Sequence, residues 1–165
     1  MENKVKTEDA KVRARDLFAK DKFACSEAIL YTINAILGNP LPSEIVKLSS
    51  GFTGGIGKSG NTCGALTGGV MALGLAFGRT EPDTACPKLL PSINELLDWF
   101  DQSYGSCCCA VLTDKNRVFD VKQTDRCGVI TGETAAKTMA IILKYENISS
   151  VKVLLPRVRQ KLKNE

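Results

Sequence analysis

Histidine is absent from the 165 residues, and that absence removes several chemistries at once. Without it there is no Cys2His2 zinc site, no His-ligated haem, no Ser-His-Asp triad and no Cys-His protease pair. A site in this chain has to be made from sulfur, carboxylate, hydroxyl or backbone. Alternating β-branched runs of strand length are missing too, which argues against a sheet. So is any CxxC pair, which sets aside a zinc ribbon or a thioredoxin-like motif. The first stretch, Met1 to Lys20, has no continuous apolar segment followed by a cleavage site, so a cytoplasmic protein is expected.

Charge is nearly balanced along most of the chain. The net +4 resides entirely in residues 151–165, where Lys152, Arg157, Arg159, Lys161 and Lys163 face only Glu165. A solvated basic C-terminal tail or helix is expected there, and no nucleic-acid partner, because the body lacks a basic footprint. The uncharged run Ser59 to Gly78 has the length of a membrane span. Its glycines, with Asn61, Thr62 and Thr67, make it poorly apolar, so a buried helix is expected instead of a span. A length of 165 residues with 44% hydrophobic composition suits a single domain over 1–165.

What is present is helical periodicity. Ala10, Ala14, Leu17 and Phe18 share one face behind Thr7 as a cap. Cys25, Ala28, Ile29, Thr32, Ile33 and Ile36 follow the i, i+3, i+4 rule until Gly38-Asn39-Pro40. A short helix from about Ser43 to Ser50 leads into the glycine-rich stretch Gly51 to Gly60, after which Asn61 or Thr62 caps a helix through Gly78. Ser92-Ile93-Asn94-Glu95 reads as a capping box for a helix ending at Gly105, and Asp125 precedes one running to about Glu146. The expected fold class is all-α, an irregular bundle of six or seven helices around a glycine-rich central helix.

Two nucleotide motifs are imitated without their context. Gly55-Ile-Gly57-Lys-Ser-Gly60 satisfies GxGxxG, but no buried strand precedes it and no βαβ unit follows. Gly57-Lys58-Ser59 resembles the end of a phosphate-binding loop, yet Phe52 stands where its leading glycine belongs. A tight loop passing close to neighbouring helices is the better expectation.

Seven cysteines in a chain expected in the cytosol point to redox, catalytic or metal roles over a structural disulfide framework. Cys63 after Asn61-Thr62, Cys127 after Asp125-Arg126 and Cys25 early in its helix all fall near expected helix starts. Free N–H groups and the positive end of the helix dipole there favour thiolate over thiol. Cys63 is expected to be the most acidic, below about 8.5, since glycines at 54, 55, 57 and 60 let amides crowd its sulfur and Lys58 adds positive potential. Gly64 and Gly68 would let another helix bring a second sulfur close. Cys107-Cys108-Cys109 is a triplet whose neighbours point in different directions.

Cys25-Ser-Glu-Ala, Gly54-Gly55-Ile-Gly57 leading into Cys63-Gly64-Ala65-Leu66-Thr67-Gly68-Gly69, Tyr104-Gly105-Ser106 with Cys109, and then Cys127 resemble the redox-active proteins named for a C…CGAxxG…C…C signature. The resemblance covers roughly residues 23 to 145. It implies that Cys25, Cys63, Cys109 and Cys127 form the functional set, with Cys86, Cys107 and Cys108 as extras. The family also resembles a domain of split-Soret cytochromes c, which carry haem and an iron–sulfur cluster. With no histidine and no CxxCH motif, haem does not carry over, whereas four thiolates suffice for a cluster.

Two functions follow as expectations. One is a thiol oxidoreductase in which Cys25, Cys63, Cys109 and Cys127 act by dithiol–disulfide or electron-transfer chemistry with a redox partner. The alternative is an iron–sulfur or other metal site with the same four cysteines as ligands. In either case the four are expected to converge, and the glycine-rich helix would also suit a homodimer contact.

Overall fold

The computed structural model of the protein describes residues 2–113 and 121–146, side chains excepted at 121–124. The tail expected at 151–165 lies outside the described residues. The chain is all-helical: α1 (Glu2–Ala19), α2 (Cys25–Ile36), a 3-10 segment (Ser43–Phe52), α3 (Gly64–Phe77), α4 (Leu89–Tyr104), α5 (Cys109–Thr113) and α6 (Val121–Glu146). Among the described residues the only extended pairing is one antiparallel bridge, Thr62 with Cys108. Among them, too, no helix is long and apolar enough to cross a membrane.

The helices form where apolar spacing gives them a face to bury. Ile29, Leu30 and Ile33 of α2 join Ala65, Leu66, Ala72 and Leu73 of α3, Leu96 and Phe100 of α4, and Met139, Ile141 and Ile142 of α6 in one core. α3 packs against α2, the 3-10 segment, α4 and α6. Its glycines are largely filled from within the chain. A Cβ on Gly69 would lie 2.8 Å from Leu96 Cδ2 and 2.9 Å from Thr138 Oγ1, while one on Gly74 would meet nothing within 4 Å. α1 crosses α6 through small residues: Ala10 and Ala14 are fully buried, and a Cβ on Gly132 would lie 2.8 Å from the Lys11 carbonyl.

Helix starts differ from the sequence expectation. Thr7 is inside α1, its hydroxyl donating to the Lys4 carbonyl at 2.9 Å. Ser92 likewise lies inside α4 and donates to Leu89 O at 2.7 Å. In both cases the hydroxyl satisfies itself on a carbonyl of the preceding turn, which permits a capping residue type in a helix interior. α6 begins before Asp125, and α3 begins after Thr62, with Cys63 itself as its N-cap. Helix ends agree better, since Gly38 (φ 86) and Gly105 (φ 69) adopt the left-handed conformation that stops α2 and α4.

Candidate functional site

The first turn of α2 is anchored before it presents a sulfur. The Ala24 amide donates to Glu27 Oε2 at 2.8 Å, and the other carboxylate oxygen accepts the Ser50 hydroxyl at 2.6 Å. Ser26 Oγ, fully buried, donates to the Ser49 carbonyl at 2.8 Å. These bonds tie α2 to the 3-10 segment and leave its start free to lie on α3. Gly64 and Gly68, one turn apart, make that approach possible. A Cβ on Gly68 would be 2.7 Å from Ser26 O, and one on Gly64 would run into Cys25 Sγ. The role read from the sequence for this glycine pair is what the structure has: the sulfur of Cys25 lies at the N-terminus of α3, beside Cys63.

A left-handed turn brings in the third cysteine. Residues 54 to 58 all have positive φ, including Ile56 (59°) and Lys58 (61°), and Gly60 follows at 80°. The amides of Ile56, Gly57, Lys58, Gly60 and Asn61 donate to the carbonyls of Phe52, Gly51, Thr53, Gly54 and Gly55. They are thereby spent within the loop, which is why a GxGxxG pattern here does not cradle a phosphate. Gly55 lies where a Cβ would be 2.7 Å from Cys109 Cβ. The Cys109 amide donates to Asn61 O at 2.6 Å, the Ala110 amide to Gly60 O at 2.9 Å, and the Cys63 amide to Cys107 O at 2.8 Å. Cys108 points elsewhere, its thiol donating to Gly60 O at 3.2 Å.

Cys127 is related to these cysteines through charge. Burial pushes the Cys63 thiol up to about 12, with the amides of Ala65 and Leu66 pulling down and the charges of Cys25 and Cys109 pushing up. Cys127 is pushed up to about 11, again chiefly by burial, then by Cys25 and Cys109, against Arg126. Burial also raises Cys25, opposed by the amides of Gly54 and Ser26. Cys63 and Cys127 thus each feel the charges of Cys25 and Cys109.

The acidity expected of Cys63 is overturned by this. Its sulfur does face the amides of a helix start, but at 7% exposure desolvation of the anion outweighs them. Cys127 loses the premise altogether, because α6 starts at Val121 and its backbone amide is not one of the unsatisfied donors of the first turn.

The sequence singled out Tyr104 only within the Tyr104-Gly105-Ser106 segment of the resemblance. Its ring packs edge-on to Phe100 with centroids 4.8 Å apart, and its hydroxyl donates to Glu133 Oε2 at 2.8 Å. Burial, Glu133 and the charge of Cys63 all raise its pKa. A cleft of about 380 Å³ opens beside it, walled by Tyr104, Leu112, Arg126 and Ile130. Cys86 stays outside these relations, its carbonyl accepting the Leu89 amide before α4.

All seven cysteines are thiols. Among the described residues no group of three or more cysteine, aspartate or glutamate side chains is arranged to hold a metal ion. The family model described as "Putative redox-active protein (C_GCAxxG_C_C)" matches residues 23–141. No curated protein and no solved structure matches the chain.

Proposed function

This chain belongs to the family described as putative redox-active proteins with the C_GCAxxG_C_C signature, and on that premise we propose that it works by dithiol–disulfide exchange among Cys25, Cys63, Cys109 and Cys127. The observation that carries this reading is the Cys25 sulfur lying over Gly64, next to Cys63. Two thiols held at adjoining backbone positions can close a disulfide without long-range movement.

In the exchange, one cluster thiolate displaces a thiolate from a disulfide R–S–S–R and forms a mixed disulfide. Its neighbour then loses a proton to solvent and displaces the second thiolate. Two protein thiols become one disulfide, two R–SH are released, and two electrons pass from protein to substrate. Cys25 with Cys63 is the first pair, and Cys109 with Cys127 the second. A low-pKa pair is an oxidant because its reduced form is stabilised. Burial denies the Cys25–Cys63 pair that stabilisation, so it serves as the electron donor.

Four cysteine thiolates would also suffice for an iron–sulfur cluster. Among the described residues, however, no three such donors are arranged to hold a metal ion. The test is a thiol count with disulfide mapping after equilibration in a glutathione redox buffer. The expected product is a Cys25–Cys63 disulfide in colourless protein. Seven thiols still alkylated under oxidising conditions, or stoichiometric iron with visible charge-transfer absorption, would overturn the reading.

A further inference from the structure

The cluster has a difficulty of access. Cys63 is only 7% exposed, so a disulfide arriving from solution does not meet its sulfur directly. Cys107, outside the set of four, is exposed. The bridge between Thr62 and Cys108 relates the two. Residues flanking an antiparallel bridge continue its register, so Cys63 is opposite Cys107 and Asn61 opposite Cys109. The bonds from the Cys63 amide to Cys107 O, 2.8 Å, and from the Cys109 amide to Asn61 O, 2.6 Å, belong to that register. Successive residues of extended chain face opposite sides. Thr62 and Cys108 therefore share one face, and Cys63 and Cys107 the other. Opposed residues in such a ladder have Cα atoms about 4.5–5.5 Å apart, and a disulfide accepts about 4.4–6.8 Å.

We propose that Cys107 is the exchange thiol through which a low-molecular-weight disulfide in solution oxidises Cys63. This rests on the dithiol reading of the cluster and adds its point of entry. Cys107, its proton released to solvent, attacks R–S–S–R and forms Cys107–S–S–R. The departing thiolate leaves as R–SH. Cys63 then loses its proton and attacks the Cys107 sulfur, giving a Cys63–Cys107 disulfide and a second R–SH. Cys25 attacks Cys63 in turn, which yields the Cys25–Cys63 disulfide and restores the Cys107 thiol. Overall the pair gives up two electrons and two protons, and R–S–S–R becomes two R–SH. Cys108 cannot substitute, because it lies on the opposite face with its thiol donating to Gly60 O.

The experiment follows oxidation of the full chain by oxidised glutathione, quenched in acid and mapped by mass spectrometry. Wild type should show an early glutathione adduct on Cys107 and then the Cys25–Cys63 disulfide. Cys107→Ser should slow formation of that disulfide at least tenfold and leave its final amount unchanged, while Cys108→Ser should match wild type. Cys25→Ser should stop with Cys63 joined to Cys107. A Cys107→Ser protein oxidised within twofold of the wild-type rate, or a Cys25→Ser protein without the Cys63–Cys107 disulfide, overturns the relay. In the first case the Cys25–Cys63 disulfide still forms and the dithiol reading stands. If Cys25→Ser accumulates Cys63–Cys107 but wild type never forms Cys25–Cys63, the pair assignment fails and the entry thiol is supported.

Discussion

The sulfur of Cys25 rests against the Cα of Gly64, in the space that a side chain on residue 64 would fill. Gly64→Ala therefore displaces that sulfur, and its methyl would also lie 2.9 Å from the Phe52 carbonyl oxygen. Backbone cannot swing aside as a side chain can. The variant is expected to lose about 1–3 kcal/mol in a denaturant melt and to form the Cys25–Cys63 disulfide more slowly. Gly74→Ala in the same helix, where nothing lies within 4 Å, should instead gain roughly 0.5–1 kcal/mol.

Gly55 and Gly38 both have positive φ, 76° and 86°, yet only Gly55 is enclosed. Its Cβ would lie 2.7 Å from the Asn61 amide nitrogen, the Asn61 carbonyl oxygen and Cys109 Cβ, whereas Gly38 has nothing within 4 Å. Alanine at 38 should cost only the left-handed strain, about 1 kcal/mol. Alanine at 55 adds overpacking, and its unfolding midpoint should fall further by an amount equivalent to about 1–3 kcal/mol. Equal losses at the two positions would mean that the loop does not hold Cys109.

Alkaline pH should destabilise the protein. The folded state keeps Cys63 protonated up to about 12, whereas the unfolded thiol ionises near about 8.5. Between those values the unfolded chain binds fewer protons, so stability falls as pH rises, by up to roughly 1.4 kcal/mol per pH unit for this group. Below the unfolded pKa the two states bind alike and the contribution is fully retained. Thermal melts from pH 7 to 10.5 should show the decline begin near pH 8.5, with a shallower slope in Cys63→Ala. An equal slope in the variant would contradict the burial assigned to Cys63.

Burial also sets the order of reaction with a small alkylating agent. At pH 7.5 Cys107, which is exposed, should be modified well before Cys63, which is buried. Peptide mapping of partially alkylated protein reads this directly. Early modification of Cys63 would restore the acidity that its place at a helix start suggested.

Sequence carried much of this fold because much of it is local. The spacing of Ala28, Ile29, Thr32 and Ile33 fixes the buried face of α2, and Gly105 at φ 69 ends α4 where the apolar pattern stops. The pairing of Gly64 with Gly68 was legible for the same reason, being one helical turn. Helix starts were less so. Ser92 is a capping type, but its hydroxyl is satisfied by Leu89 O inside α4, and nothing in the local sequence distinguishes the two uses. The acidity of Cys63 failed because burial is contributed by residues distant in sequence. The bond from Tyr104 to Glu133 stayed hidden because the two are twenty-nine positions apart.

The crossing of α1 on α6 bears on what counts as the unit here. The stretch that the family shares, residues 23–141, omits α1 and the last turn of α6. Yet Ala10, Ala14 and Ile142 are fully buried, and Tyr145 packs on Phe77 with ring centroids 6.1 Å apart. The stretch held in common and the packed core have different edges. The shared stretch alone would expose the small-residue face around Gly132 on the very helix that carries Cys127.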